Sequence, residues 1–116
     1  MTDRISLTVP SGLRGAGVVA LVLGGLGSRL ELPVDRTDEL ALAVAAVSPS
    51  VTGEVLELEA DVLGDRLVVR LGPLEDGTGA DVALRRVIDR LVDKVDGFRR
   101  ADREWLQLEL VRSEAG

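Results

Sequence analysis

Cysteine, histidine and tyrosine are absent from this 116-residue chain, and lysine, methionine, tryptophan and phenylalanine occur once each. Without cysteine there can be no disulfide framework, no thiolate metal site and no cysteine nucleophile. Without histidine the chain lacks the commonest general base near neutral pH, the serine–histidine triads and almost every transition-metal site. The acid–base repertoire reduces to carboxylates, Lys94 and 13 arginines. Most enzyme classes are disfavoured before any motif is read, and neither a metal nor an organic cofactor is expected.

Aromatic rings are equally scarce. Only Phe98 and Trp105 offer a face on which a base could stack, and the net charge of -6 repels phosphate backbones, so nucleic acid is not an expected partner. An acidic chain more naturally meets a protein of opposite charge. There is also no long hydrophobic run. The apolar stretch from Gly15 to Gly27, between Arg14 and Ser28, falls short of the roughly 20 residues that span a bilayer and lacks an A-x-A cleavage signal. A buried helix, no membrane contact and a cytoplasmic location are the expectation.

What is present suffices for one domain over residues 1–116, because 46% hydrophobic content can build a single modest core. Ile5, Leu7 and Val9 alternate with Ser6 and Thr8 as in a half-buried strand, which Pro10-Ser11-Gly12 ends. From Leu13 to Leu30 the apolar spacing is helical, although five glycines weaken the intrinsic propensity, so this helix must be stabilised by packing. Those glycines would admit a close neighbour, either the sheet or a second subunit. Pro33 breaks the chain and Asp35 is placed to cap a second helix, whose stripe Leu40, Ala43, Val44, Val47 stops at Pro49.

Leu56, Leu58 and Ala60 then alternate with Glu57, Glu59 and Asp61, and Leu67, Val69 and Leu71 with Arg66 and Arg70, on either side of a turn at Gly64-Asp65. This is a hairpin whose acidic and basic outward positions can pair across the strands. A third helix carries the stripe Leu84, Val87, Ile88, Leu91 and Val95, Asp96-Gly97 turns the chain, and Leu106, Leu108 and Leu110 mark a last strand. The order β-α-α-β-β-α-β predicts an α/β (α+β) two-layer sandwich: a mixed sheet of about four strands with three helices on one face.

That order, with the strings Leu32-Pro33-Val34-Asp35, Asp38-Glu39-Leu40-Ala41-Leu42-Ala43-Val44, the hairpin Glu54 to Leu71 and Leu91-Val92-Asp93-Lys94-Val95, resembles the GHKL (Bergerat-fold, histidine-kinase-like) ATPases of the bacterial anti-sigma-factor and serine-protein-kinase type. The resemblance covers nearly the whole chain and concerns packing more than chemistry. At the family's catalytic glutamate and magnesium-ligating asparagine this chain has Ala46 and Ser50, and Pro73 stands roughly where an aspartate would bind the adenine amino group. The family's phosphate-cradling glycines are replaced around Val82 to Arg86. Phosphoryl transfer depends on positioning and metal-assisted charge stabilisation, so losing these groups together should abolish it.

The resemblance therefore implies a non-catalytic regulator that binds a protein, a sigma factor or an anti-sigma antagonist, and forms a homodimer. Arg14 and Arg29, flanking the first helix, and Trp105, on the sheet face opposite Leu106, Leu108 and Leu110, are the candidate partner contacts. Trp105 equally suits a cap on the core edge. Two further readings stay open, a divergent active serine kinase and an unrelated accessory domain. Gly77-Thr78-Gly79 has the form of a phosphate nest, but no Lys-Ser/Thr follows, and an ordinary loop is expected. Glu57 and Glu59 share a strand face that reads as solvated. Arg85, Arg86 and Arg90 lie among Asp89 and Asp93 at helix-pair spacings and read as a self-paired surface.

Overall fold

The computed structural model describes residues 3–112; the side chains of residues 3, 13 and 14 lie outside what it describes. The chain forms β1 (Asp3–Pro10), α1 (Leu13–Arg29), α2 (Val34–Val47), β2 (Val55–Leu63), β3 (Arg66–Leu74), α3 (Val82–Leu91), β4 (Lys94–Arg100) and β5 (Arg103–Val111), with 3-10 turns at Ser48–Ser50 and Thr78–Ala80. The strands make one sheet in the order β1-β2-β3-β5-β4. Three helices cover one face of it, α1 over β1 and β2, α2 between the other two helices, and α3 beside β4.

The α+β, one-sided sandwich expected from the stripes is present, with two differences. Every strand pair is antiparallel, so the sheet is not mixed, and it has five strands where about four were expected. The extra strand, β4, occupies the segment where the sequence continues the third helix to Val95 and turns at Asp96-Gly97. Instead α3 stops at Leu91, Val92 takes up extended geometry, and the chain turns at Ala101-Asp102, five residues beyond Asp96-Gly97, with both residues at positive φ (51° and 64°). That is the backbone of a tight two-residue hairpin, which asparagine and glycine favour and which alanine resists. Helical periodicity ran past the helix end because Val95 faces the same core from a strand.

Alternation sets the core. Leu58, Leu67, Leu71, Leu106, Leu108 and Leu110 point from the sheet into the helix layer, where Leu23, Leu40, Val47 and Ile88 meet them, all at most 1% exposed. This interior is wholly aliphatic; the two aromatic side chains lie on the other face of the sheet. Two of the α1 glycines serve this packing. A Cβ at Gly15 would overlap the Pro10 carbonyl oxygen, and one at Gly27 would overlap Thr37, so α1 lies against its own fold at those points. Asp35 is not the cap of α2: Pro33 holds that position and Asp35 sits in the first turn, where its charge still suits the positive end of the helix. In α3, Asp81 does cap, accepting from the Leu84 amide at 3.1 Å.

Replacing Ala101 by Asn together with Asp102 by Gly should relieve the left-handed strain at the β4–β5 turn and raise stability by about 1 kcal/mol in urea unfolding. Leu40→Ala, at a position with no exposure, should cost about 2–5 kcal/mol by the same measurement.

Candidate functional site

Because helices cover one face only, the opposite face of the sheet has to satisfy its own polar groups. Across it the outward residues of neighbouring strands stand in register: Arg4 opposite Asp61 and Glu59 opposite Arg70. Asp61, 1% exposed in the second half of β2, accepts from Arg4 Nε at 2.9 Å and from Arg70 Nη1 at 2.6 Å. Burial alone would raise its pKa, but the hydrogen bonds from Arg4 and Arg70 and their positive charges outweigh that and hold the carboxyl below its ordinary value. Arg70 also donates to Gln107, and Arg66 donates to the buried Glu109 at 2.9 Å. The cross-strand pairing anticipated for the hairpin is thus one part of a network that reaches four strands.

Trp105 lies on this open face, as alternation requires, but it is only 5% exposed and offers a partner little surface. Its indole covers Gly72 on β3, where a Cβ would come within 2.6 Å of the ring. Arg100 stacks its guanidinium 4.6 Å from the ring centroid and reaches on to grip Glu59 with both nitrogens, at 2.9 and 3.1 Å. The bidentate clamp spans from β4 to β2 because Gly72 leaves room between them. Glu59 is therefore engaged by two arginines, while Glu57 beside it is exposed. The pair does not form a carboxylate dyad. Of the other expected contacts, Arg29 is exposed in the last turn of α1 and Arg14 falls outside the described side chains.

The three positions matched to the family's nucleotide chemistry cluster at one end of the sheet. Ala46, near the end of α2, packs its methyl against the core. One turn on, the Ser50 carbonyl accepts from the Glu75 amide at 2.8 Å, and the Pro73 carbonyl accepts from Thr52 at 2.9 Å. Val51 pairs with Leu74 between these bonds. The 3-10 turn after α2 is thereby joined to the end of β3, where Pro73 brings no amide proton and the register with β5 shifts.

Nearby, Gly77-Thr78-Gly79 does direct two amides at an anion, but the anion is internal. Glu104 at the start of β5 takes Gly77 N–H at 2.9 Å and Gly79 N–H at 2.5 Å, one on each carboxylate oxygen. Sequence reasoning missed Glu104 because 25 residues separate it from the loop it fills.

The other surface of note belongs to α1 and α2. Val18 and Leu21 of α1 are 46% and 78% exposed and Leu42 of α2 is 59% exposed, and no charged residue interrupts α1 between Arg14 and Arg29. Between the two helices lies an apolar pocket of about 220 Å³ lined by Ala16, Val19, Ala41, Val44 and Ala45, with Leu56 among its apolar walls. Its one side-chain hydroxyl, Ser48 Oγ, accepts from the Gly12 amide at 3.0 Å. Among the described residues no group of three or more carboxylates could hold a metal ion, and no helix is long and apolar enough to cross a membrane.

With this geometry in view, no protein-family model matches the chain and no curated protein matches it in sequence.

Two measurements address the open face. Asp61→Asn should cost about 1–3 kcal/mol at neutral pH. Because the native pKa of Asp61 is depressed, its contribution is fully present above the ordinary carboxylate value of about 3.9 and is lost as pH falls toward the native one. The wild-type urea midpoint should therefore drop more steeply below about pH 4 than that of the variant; parallel curves would contradict the network. Gly72→Ala should push the indole off β3 and shift Trp105 fluorescence to longer wavelength.

Proposed function

We propose that this chain is a non-catalytic regulatory domain that binds a protein, of the anti-sigma-like kind its sequence resembles, with the nucleotide site lost. The observation that carries the reading is the outer surface of α1, uncharged between Arg14 and Arg29, where Val18 and Leu21, with Leu42 of α2, are exposed beside an apolar pocket. Contiguous apolar surface of this sort on a soluble domain commonly marks a place where another protein docks. The resemblance makes a sigma factor or an anti-sigma antagonist the expected partner class, and the same face suits a second copy of the chain.

The loss of catalysis is argued from side-chain chemistry. Transfer of a phosphoryl group needs an activating base, a ligand for magnesium and donors aimed at the phosphates. The methyl of Ala46 can neither activate nor ligate, and Ser50 and Pro73 have their carbonyls tied to neighbouring loops. The two loop amides that point at an anion already hold Glu104, which would repel a phosphate. Arg14, Arg29 and Trp105 remain weaker candidates for the contact than the apolar face, Trp105 because its ring is covered.

Calorimetric titration with Mg-ATP and Mg-ADP, followed in parallel by Trp105 fluorescence, should give no saturable binding up to millimolar ligand. Micromolar binding would overturn the reading in favour of an active kinase. Leu21→Asp should leave stability within about 0.5 kcal/mol, since the side chain is exposed, while weakening self-association or partner capture in sedimentation.

A further inference from the structure

The outer flank of α3 carries a second surface of different chemistry. The stripe expected to bury Val87 does not do so: α3 packs through Leu84, Ile88 and Leu91, leaving Val87 48% exposed and Val82 66% exposed. Val87 and Leu91 form the apolar part of a shallow groove of about 410 Å³ whose remaining walls are Arg86 and Arg90. The carboxylates that sequence spacing assigns to these arginines do not pair with them. Asp89 lies 3.9 Å from Arg85, and Asp93 pairs with Arg36 at 3.0 Å while accepting from the Val111 amide at 2.7 Å. Among the described residues neither Arg86 nor Arg90 has a carboxylate within ion-pair distance. Two cations one helical turn apart repel each other, a small cost, and the exposed Asp89 between them in sequence makes no ion pair with either, in a chain whose net charge is -6.

We propose that this flank docks an acidic segment of a partner protein, with an apolar side chain entering between Arg86 and Arg90 while two carboxylates take the guanidiniums. The complementarity is of charge and of spacing. The arginine Cα atoms, four residues apart on a helix, are separated by about 6 Å along its axis, the same step that separates carboxylates four apart on a partner helix. Guanidinium presents paired donors that match a carboxylate, and the groove floor excludes water from one side of each pair. The net charge of -6 opposes every anion alike, so a polyphosphate is disfavoured on other grounds: two arginines supply little counterion release, and the apolar floor of Val87 and Leu91 matches a hydrocarbon side chain and not a phosphate. The inference rests on the protein-binding reading and names a second face for it, with its own partner chemistry.

The test uses the full chain and a fluorescein-labelled helical peptide with glutamates at i and i+4 and a leucine at i+3, read by anisotropy. Saturable binding that weakens as salt rises is expected, with a loss of about tenfold or more in Arg86→Ala/Arg90→Ala and in a peptide with glutamine for glutamate. Both arginines are exposed, so the variant's urea midpoint should match wild type and its loss of binding is not a loss of fold. Absence of binding by wild type, or equal binding by the variant or by the glutamine peptide, would overturn the proposal. So would tighter arginine-dependent binding to phosphatidylglycerol vesicles or to a single-stranded oligonucleotide. Failure of the underlying reading is separate, since it appears as Mg-ATP binding whatever the peptide does.

Discussion

Asp61 stands in the second half of β2 on the face that no helix covers, and its almost fully buried carboxylate is held by Arg4 from β1 and Arg70 from β3. An unpaired carboxylate there would be costly, and a well-paired one carries its neighbours into fixed positions. Arg70, so held, orients Gln107; Glu59 beside it takes Arg100; and Arg100 closes over Trp105. The open face is thus covered by its own side chains, in a protein whose aliphatic core lies wholly on the other side of the sheet. Such a network stabilises modestly for the number of charges it uses. Its larger consequence is that the one indole of the chain is removed from the surface.

With the indole covered, the two surfaces best suited to another protein belong to the helix layer. They differ in kind. The outer face of α1 is uncharged between Arg14 and Arg29 and adjoins a pocket shared with α2, whereas the α3 flank offers two arginines about a small apolar floor. The end of the sheet where the family resemblance would put a nucleotide is tied together by backbone bonds between the Ser48–Ser50 turn and β3, and Glu104 fills the pair of loop amides at Gly77 and Gly79. A carboxylate in that position is chemically the opposite of what a phosphate site requires.

The legibility of each part followed the range of the forces behind it. The four alternating runs and the helical stripes up to Leu91 could be read because side-chain period is a local property of backbone geometry. The hairpin at Gly64-Asp65 announced itself by composition, while that at Ala101-Asp102 did not, because alanine resists the left-handed backbone that it adopts there. Val87 was indistinguishable from its buried neighbours on the stripe; its exposure depends on how α3 leans on the sheet. Cross-strand pairing of Glu59 and Asp61 with Arg70 was legible from alternation, but the reach of Arg100 to Glu59 over 41 residues was not.

From its sequence alone, this chain had its one-domain size, its acidic charge, its lack of thiol and imidazole chemistry and most of its element order, since all of these reside in composition or in contacts between near neighbours. Tertiary structure decided which charges are spent and which remain available. Asp93 could have answered Arg90 on its own flank, but the approach of α2 brought Arg36 within 3.0 Å of it. Glu104 could have been a solvated surface residue, but folding brought the Gly77 and Gly79 amides to it. Ion pairs and anion nests form between groups that only the packed chain brings within hydrogen-bonding distance, and no local period encodes that approach.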